Sequence, residues 1–531
     1  MAADHIVVLD QGTTSTRAIA FDRSLTPVAE ARRPLTQHYP ADGQVEHDAA
    51  EIWAGAQGVL AEAIGTVGGA GRVAGLAITN QRETSIAFDR SSGAPMARAI
   101  VWQDRRTADL CAALKGAGVE PMVQARTGLL LDPYFSATKF AWLMAHGAGG
   151  PDLALSTVDA FLVHRLTGGT RFATDATNAS RTLLFDINRQ TWDAELCGLF
   201  AVPMTALPEV RDSADDFGTT NLFGAPIPIL GVAGDQQAAL IGQGCIAPGD
   251  AKATYGTGCF LVAHTGDAPV VSANRLLATV AWRLGGVPAS ALEGSIFNAG
   301  SVAQWLRDEL GLISASAETE VLAASAPEND GVYAVPAFTG LGAPHWRPDA
   351  RGALFGMTRA TGRASIVRAA LDAVAWQTAD LLETLAADGA PVPAALKVDG
   401  GMSNNAWFRQ RLADLAGVTV VTPAHAEMTA LGAAALAALR LGWISSLADH
   451  AANWREAARH APVMGPEDRA SRRAGWRRAV AATLACGGAA ILGLGRRGGP
   501  RRSRGPASSR PAPRAAAGEA SAKPPRPASG G

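Results

Sequence analysis

Near the start of the chain, two short apolar runs enclose a stretch richer than any hairpin requires: LDQGTTSTRAIAFD, Leu9–Asp22. Apolar IVVL precedes it and AIAF follows, while the connection carries Asp10, Gln11, Gly12, Thr13, Thr14, Ser15 and Thr16. Polarity concentrated between two apolar runs predicts two strands joined by a tight turn. A turn needs a glycine and one or two turn formers, so an acid and four hydroxyls are surplus to the fold. Backbone N–H groups and hydroxyls at such a tip can form a concave nest for phosphate oxygens without a P-loop lysine. Asp10, at the strand's end, is placed to hold a hydrated Mg²⁺ bridging those phosphates, and Arg17 adds positive charge. A solvated surface hairpin would use similar residues, so the feature gains weight only by recurring.

It recurs at YGTGCF, Tyr255–Phe260, inside AKATYGTGCFLVAHT, again strand, Gly/Thr turn, strand. A third glycine turn, VDGGMSNN at Val398–Asn405, follows the strand-like ALKV and offers backbone to a flat base or ribose. Around the first hairpin the order reads β-β-α-β: HIVVLD, RAIAFD, the helical EIWAGAQGVLAEAIGTV, then the buried strand VAGLAIT. GRASIVRAALDAVAWQTADLLETLAA predicts a long helix in the second half. Two similar α/β halves dividing near Ile246 are expected, with a ligand cleft between them.

At 531 residues the chain exceeds one core. A net charge of −1 provides no field to recruit nucleic acid or an anionic membrane. Five scattered cysteines without C-x-x-C spacing fit reduced thiols in a cytosol. The N-terminus carries acid where a signal peptide needs base, and the Ala/Gly-rich run Ala479–Gly495 is too short and weak for a membrane span. A cytoplasmic protein is expected. From 485 to 531 the composition turns to Gly, Pro, Ala, Ser and Arg, with nine basic residues against the single acid Glu519, the signature of a disordered basic tail. The GLGRRG match at Gly493–Gly498 has no helix after it and is not a dinucleotide site. No G-x-x-x-x-G-K-[ST] occurs, which argues against a P-loop NTPase.

The three turns resemble the phosphate and adenosine loops of the actin, hexokinase and sugar-kinase superfamily of ribonuclease-H-like folds. YFSATKFAWLM and GALFGMTRATGRASIVRAALDAVAWQ are similar to the two signature regions of the FGGY carbohydrate kinases. Ten motifs, among them TNQRETS, VWQDRRT, ATNASRTLLFDI, GDQQAALIGQ and VPAFTGLGAP, follow that family's order from about residue 4 to 483. The resemblance implies two ribonuclease-H-like domains, 1–246 bearing the polyol and phosphate-loop site and 247–484 the nucleotide site. It further implies phosphoryl transfer from Mg·ATP to a small polyol, with glycerol as the acceptor, by an enzyme that assembles as a dimer or tetramer. A kinase for another polyol or sugar, or a non-catalytic actin-like nucleotide switch, is the alternative.

By the same resemblance Arg82, Glu83 and Tyr134 hold the acceptor's hydroxyls, while Trp102 and Phe260 pack on its carbons. On chemistry alone, adjacent Arg82 and Glu83 supply a donor fork and an acceptor, which suits a neutral polyol but equally a surface salt bridge. Asp235, after IPILGVA and before a helix, reads locally as an N-cap. The resemblance makes it the general base, with Gln236 contacting the acceptor. Thr257, Gly300, Gln304, Gly401 and Asn405 carry over as nucleotide contacts, and Thr13, Thr14, Ser15 and Arg17 as the loop around the transferred phosphate. Departures also occur. FGTTNLFGAPIPILG lacks the glycine-rich basic insertion with which some bacterial members bind fructose 1,6-bisphosphate, and this region has no histidine of the kind phosphorylated in others.

Overall fold

The computed structural model describes residues 3–328 and 331–486. The tail expected at 485–531 lies outside them except for its first two residues.

The first hairpin forms as the polarity pattern predicts: β1 (His5–Gln11) pairs antiparallel with β2 (Ser15–Phe21), Asp10 opposite Arg17. A third strand, β3 (Pro27–Pro34), then lines β2, so the order is β-β-β-α-β rather than the expected β-β-α-β. β3 escapes the sequence pattern because it is an edge: only Ala31 is buried among PVAEARRP, and no apolar alternation is required of it. The helix α1 (Ala49–Thr66) starts at Asp48, whose side chain accepts from Ala50 N, and buries Ile52, Val59 and Ile64 against the sheet. β4 (Val73–Asn80) and β5 (Ile227–Gly234) run parallel to β1, giving the order β5-β4-β1-β2-β3 with the short strand Thr219–Thr220 added beside β5. After β5 comes α2 (Asp235–Gly242).

The second sheet repeats this core. β6 (Ala251–Tyr255) and β7 (Cys259–Gly266) form the hairpin, followed by β8 (Leu277–Leu284) and β9 (Val287–Ile296). The helices α3 (Gly300–Asp308) and α4 (Arg363–Ala387) precede β10 (Ala395–Asp399), which is parallel to β6. Then come α5 (Ala406–Ala416), β11 (Thr419–Pro423), α6 (Met428–Arg440) and β12 (Glu456–His460). The strand order is β8-β9-β7-β6-β10-β11-β12. The run β11-β10-β6-β7-β9 thus matches β5-β4-β1-β2-β3, the duplicated ribonuclease-H-like arrangement.

One core joins the sheets: Ile6, Val8 and Phe21 of the first and Val262 of the second pack with Leu240 of α2 and Leu436 of α6. The two helices touch backbone to backbone. A Cβ at Gly242 would lie 1.9 Å from the Met428 carbonyl oxygen, and one at Gly432 would lie 1.8 Å from that of Ala238. Only glycine permits this approach. Among the described residues no helix is long and apolar enough to cross a membrane, and the five cysteines are free.

Candidate active site

β4 ends at Asn80 and delivers Arg82 and Glu83 into the protein's centre, both almost fully buried. They are therefore not a surface salt bridge. Glu83 adopts φ 61°, a left-handed conformation costly for a side-chain-bearing residue. Its carbonyl is held there by the hydroxyls of Ser85 and Ser136, each at 3.1 Å. Arg82 donates from Nη1 to Glu293 Oε2 at 2.5 Å and to Gln237 Oε1 at 3.2 Å, and from Nη2 to the Tyr134 hydroxyl at 3.3 Å. Its Nε lies 3.3 Å from Asp235 Oδ1. Glu83 accepts from Arg181 Nε at 2.6 Å, and Arg181 Nη2 reaches the other oxygen of Glu293 at 2.8 Å.

Burial opposes charge on Arg82, yet the carboxylates of Glu293, Glu83 and Asp235 outweigh it and hold the guanidinium protonated. Burial likewise pushes Glu293 up, but Arg181 and Arg82 prevail and bring it down to about 2. Asp235 differs. Burial, only partly offset by Arg82, raises it to about 6, although 31% of its side chain remains accessible. The helix N-cap is Gly234, not Asp235, which is the first residue of α2 and accepts at 2.7 Å from the N–H of Gln236. Its carboxylate thus serves the first turn from within the helix while the same oxygen faces Arg82.

Three aromatic rings wall the same spot. Trp102 meets Tyr134 edge-on at 5.7 Å and Phe260 at 6.0 Å, and Phe260 lies under the Arg82 guanidinium at 5.9 Å. Trp102 Nε1 also donates to Thr13 Oγ1 at 2.9 Å, so one indole links the first hairpin to a strand of the second sheet. Gln236 accepts from the buried Lys252 Nζ, which also donates to Thr254 Oγ1 at 2.9 Å. At the hairpin, Gly12 N–H bonds Ser15 O at 2.9 Å, and Arg17 bridges Asp10 Oδ2 (2.5 Å) and Glu427 Oε2 (2.7 Å). Burial raises Asp10 above the usual carboxylate range against the pull of Arg17.

The second hairpin gathers three of the other predicted contacts. Gly300 N–H bonds Gly256 O at 2.9 Å, while Thr257 O accepts from Ala299 and Ser301. A Cβ on Gly300 would stand 2.5 Å from Gly256 O, and one on Gly400, at φ 88°, would stand 2.4 Å from Tyr255 O. Thr257, Gly300 and the turn leading into Gly401 thus meet around Tyr255 and Gly256. Gln304 is exposed one turn further along α3. Asn405 is N-cap of α5, its Oδ1 accepting from Phe408 N at 2.8 Å and its Nδ2 donating to Thr319 at 3.2 Å.

Sequence reading missed Arg181, Glu293, Lys252, Gln237 and Glu427. Arg181 stood inside ATNASRTLLFDI and Lys252 beside YGTGCF, but nothing local marks Glu293 in a strand of alternating small residues.

These two sheets, with an acid, a donor fork and two glycine-turn loops between them, are the frame of a sugar kinase. The model of the FGGY family of carbohydrate kinases, N-terminal domain, matches residues 5–242, and that of its C-terminal domain matches 251–441. The chain belongs to this family and is a phosphotransferase. Within the family the chain is similar to glycerol kinases. That of Rhodospirillum centenum is 55% identical over 90% of this chain and 98% of its own, and that of Ectopseudomonas mendocina 54% over the same shares. The crystal structure of Plasmodium falciparum glycerol kinase with ADP superposes with a TM-score of 0.85 at 35% identity, covering 91% of this chain and 99% of its own.

Proposed function

We propose that this chain transfers the γ-phosphoryl group of ATP to a terminal hydroxyl of glycerol, giving sn-glycerol 3-phosphate. The observation that carries the reading is Asp235: a carboxylate raised to about 6 and 3.3 Å from the Arg82 fork, whose guanidinium is itself flanked by Tyr134 and Phe260. Arg82 and Tyr134 donate to, and Glu83 accepts from, the acceptor's hydroxyls, while Trp102 and Phe260 cover its carbons. Asp235 takes the proton from the attacking hydroxyl. Thr13, Thr14 and Ser15 hold the transferred phosphate; Thr257, Gly300, Gln304, Gly401 and Asn405 line the nucleotide. The reaction needs mainly positioning and charge stabilisation, which these loops supply.

The residues also fit a hydrated divalent cation. Asp10 offers a hard oxygen within electrostatic reach of Asp235, and among the described residues no cluster of three or more His, Cys, Asp or Glu could hold a metal. Such a site takes most of its ligands from phosphate and water, the habit of Mg²⁺. When bound, Mg²⁺ neutralises the phosphate oxygens.

The test is Mg·ATP consumption by the purified protein with glycerol, erythritol, xylulose, gluconate or no acceptor. Strong stimulation by glycerol alone is expected. Preference for another acceptor overturns the pocket assignment, and ATP binding without stimulation favours a nucleotide switch.

A further inference from the structure

Arg82 and Arg181 are two buried cations from the first half, each raising the other's cost of charge. What reconciles them comes from the second half. Glu293, fully buried on β9, gives Oε2 to Arg82 and Oε1 to Arg181, so one carboxylate spans both guanidiniums. Arg181 in turn fixes Glu83 and lies over the rings of Tyr134 (5.7 Å) and Phe135 (5.4 Å). A buried ionic array of this kind is tolerable only with every charge matched.

We infer that Glu293 is a positioning residue that completes the acceptor pocket from the opposite half and confines it to neutral polyols. The inference rests on the acceptor reading above. Arg82 faces Glu293, Arg181 faces Glu83, and Lys252 is bonded to Gln236 within the field of Asp235. Among the described residues the carboxylates of Glu293 and Glu83 already match the two guanidiniums, with Arg181 Nη1 lacking a hydrogen bond and Lys139 Nζ held by the Tyr134 carbonyl, so an acidic acceptor would add an unmatched charge to a desolvated site. A neutral polyol brings no charge to desolvate, and Arg82 and Glu83, held with their polar edges in fixed directions, can replace the hydrogen bonds its hydroxyls lose to water. Removing the Glu293 charge does two things at once: it loosens Arg82 and leaves a cation unmatched.

The experiment compares wild type, Glu293→Gln and Glu293→Asp for glycerol, ATP and D-glycerate, a three-carbon acid. Folding is verified by circular dichroism. Glu293→Gln is expected to raise the glycerol KM by at least about tenfold while the ATP KM stays within about twofold, and to raise the glycerate-to-glycerol ratio of kcat/KM by at least about tenfold. Glu293→Asp, keeping the charge with a shorter reach, is expected to raise the glycerol KM without favouring glycerate. A folded Glu293→Gln with an unchanged glycerol KM and acceptor ratio overturns the inference. So does a parallel loss for ATP and glycerol with the ratio unmoved, which is what a merely structural role gives. If Glu293→Gln does not fold, an unchanged glycerol KM in Glu293→Asp overturns it.

A wild type that uses a different neutral polyol defeats the glycerol assignment alone, and the same comparison is then run on that polyol. A wild type that prefers an acid defeats the inference. If wild type turns over no acceptor, calorimetric binding of glycerol and glycerate decides it: weaker glycerol and gained glycerate binding in Glu293→Gln supports it, and no difference overturns it.

Discussion

Asp235 combines three properties that rarely coincide in a carboxylate: partial accessibility, an arginine at 3.3 Å and an ionisation raised to about 6. Its acid form predominates below that pH and cannot accept a proton. The kcat/KM for glycerol is therefore expected to rise with pH up to about 6 and then level, as a pH–rate profile will read. Asp235→Asn should lower kcat by about 10³-fold, within the range of general-base contributions, while binding of both substrates persists. Loss of binding together with turnover would instead make Asp235 a structural residue. At this scale the sequence disclosed the residues whose motifs are contiguous, such as Arg82 and Glu83 in NQRETS. It concealed Glu293, because a buried ion pair joins two residues far apart in the chain and neither strand's pattern records its partner. The local N-cap reading of Asp235 failed for a similar reason: Gly234 supplies the cap geometry, which residue type alone does not reveal.

The elements that matter most are two hairpins and the glycines around them. Both hairpins were legible because polarity at a turn between apolar runs has one economical explanation. β3 was not, since an exposed edge strand has no face to mark. Gly300 lets α3 begin against the second hairpin; a methyl there would lie 2.5 Å from the Gly256 carbonyl oxygen. Gly300→Ala is expected to displace the turn and raise the ATP KM roughly tenfold, as overpacking of 1–3 kcal/mol implies, with the glycerol KM unchanged in steady-state kinetics. Gly242→Ala should act on stability instead. Its methyl would collide with α6 at 1.9 Å, and the expected cost of about 1–3 kcal/mol appears as a lower melting temperature.

Across the whole molecule, two copies of one sheet plan meet through α2, α6 and the buried charges, and the proposed acceptor pocket draws residues from both. The site is consequently expected to depend on the apposition of the halves, and closure over substrates would keep water from competing as acceptor. Regulation is expected to be spare. The connection between Thr219–Thr220 and β5 is the short Asn221–Pro226, which carries no basic residue. Fructose 1,6-bisphosphate should leave the initial rate unchanged, and tight inhibition of the purified enzyme would refute that expectation.

Acceptor identity is settled by a competition. Purified enzyme, Mg·ATP and equimolar glycerol, erythritol, xylulose and gluconate are combined, and the phosphorylated products are identified by ³¹P NMR. Glycerol phosphorylated at a terminal hydroxyl is the expected dominant product, formed in step with ADP. A different phosphorylated acceptor, or ADP released with no acceptor phosphorylated, would contradict the glycerol assignment.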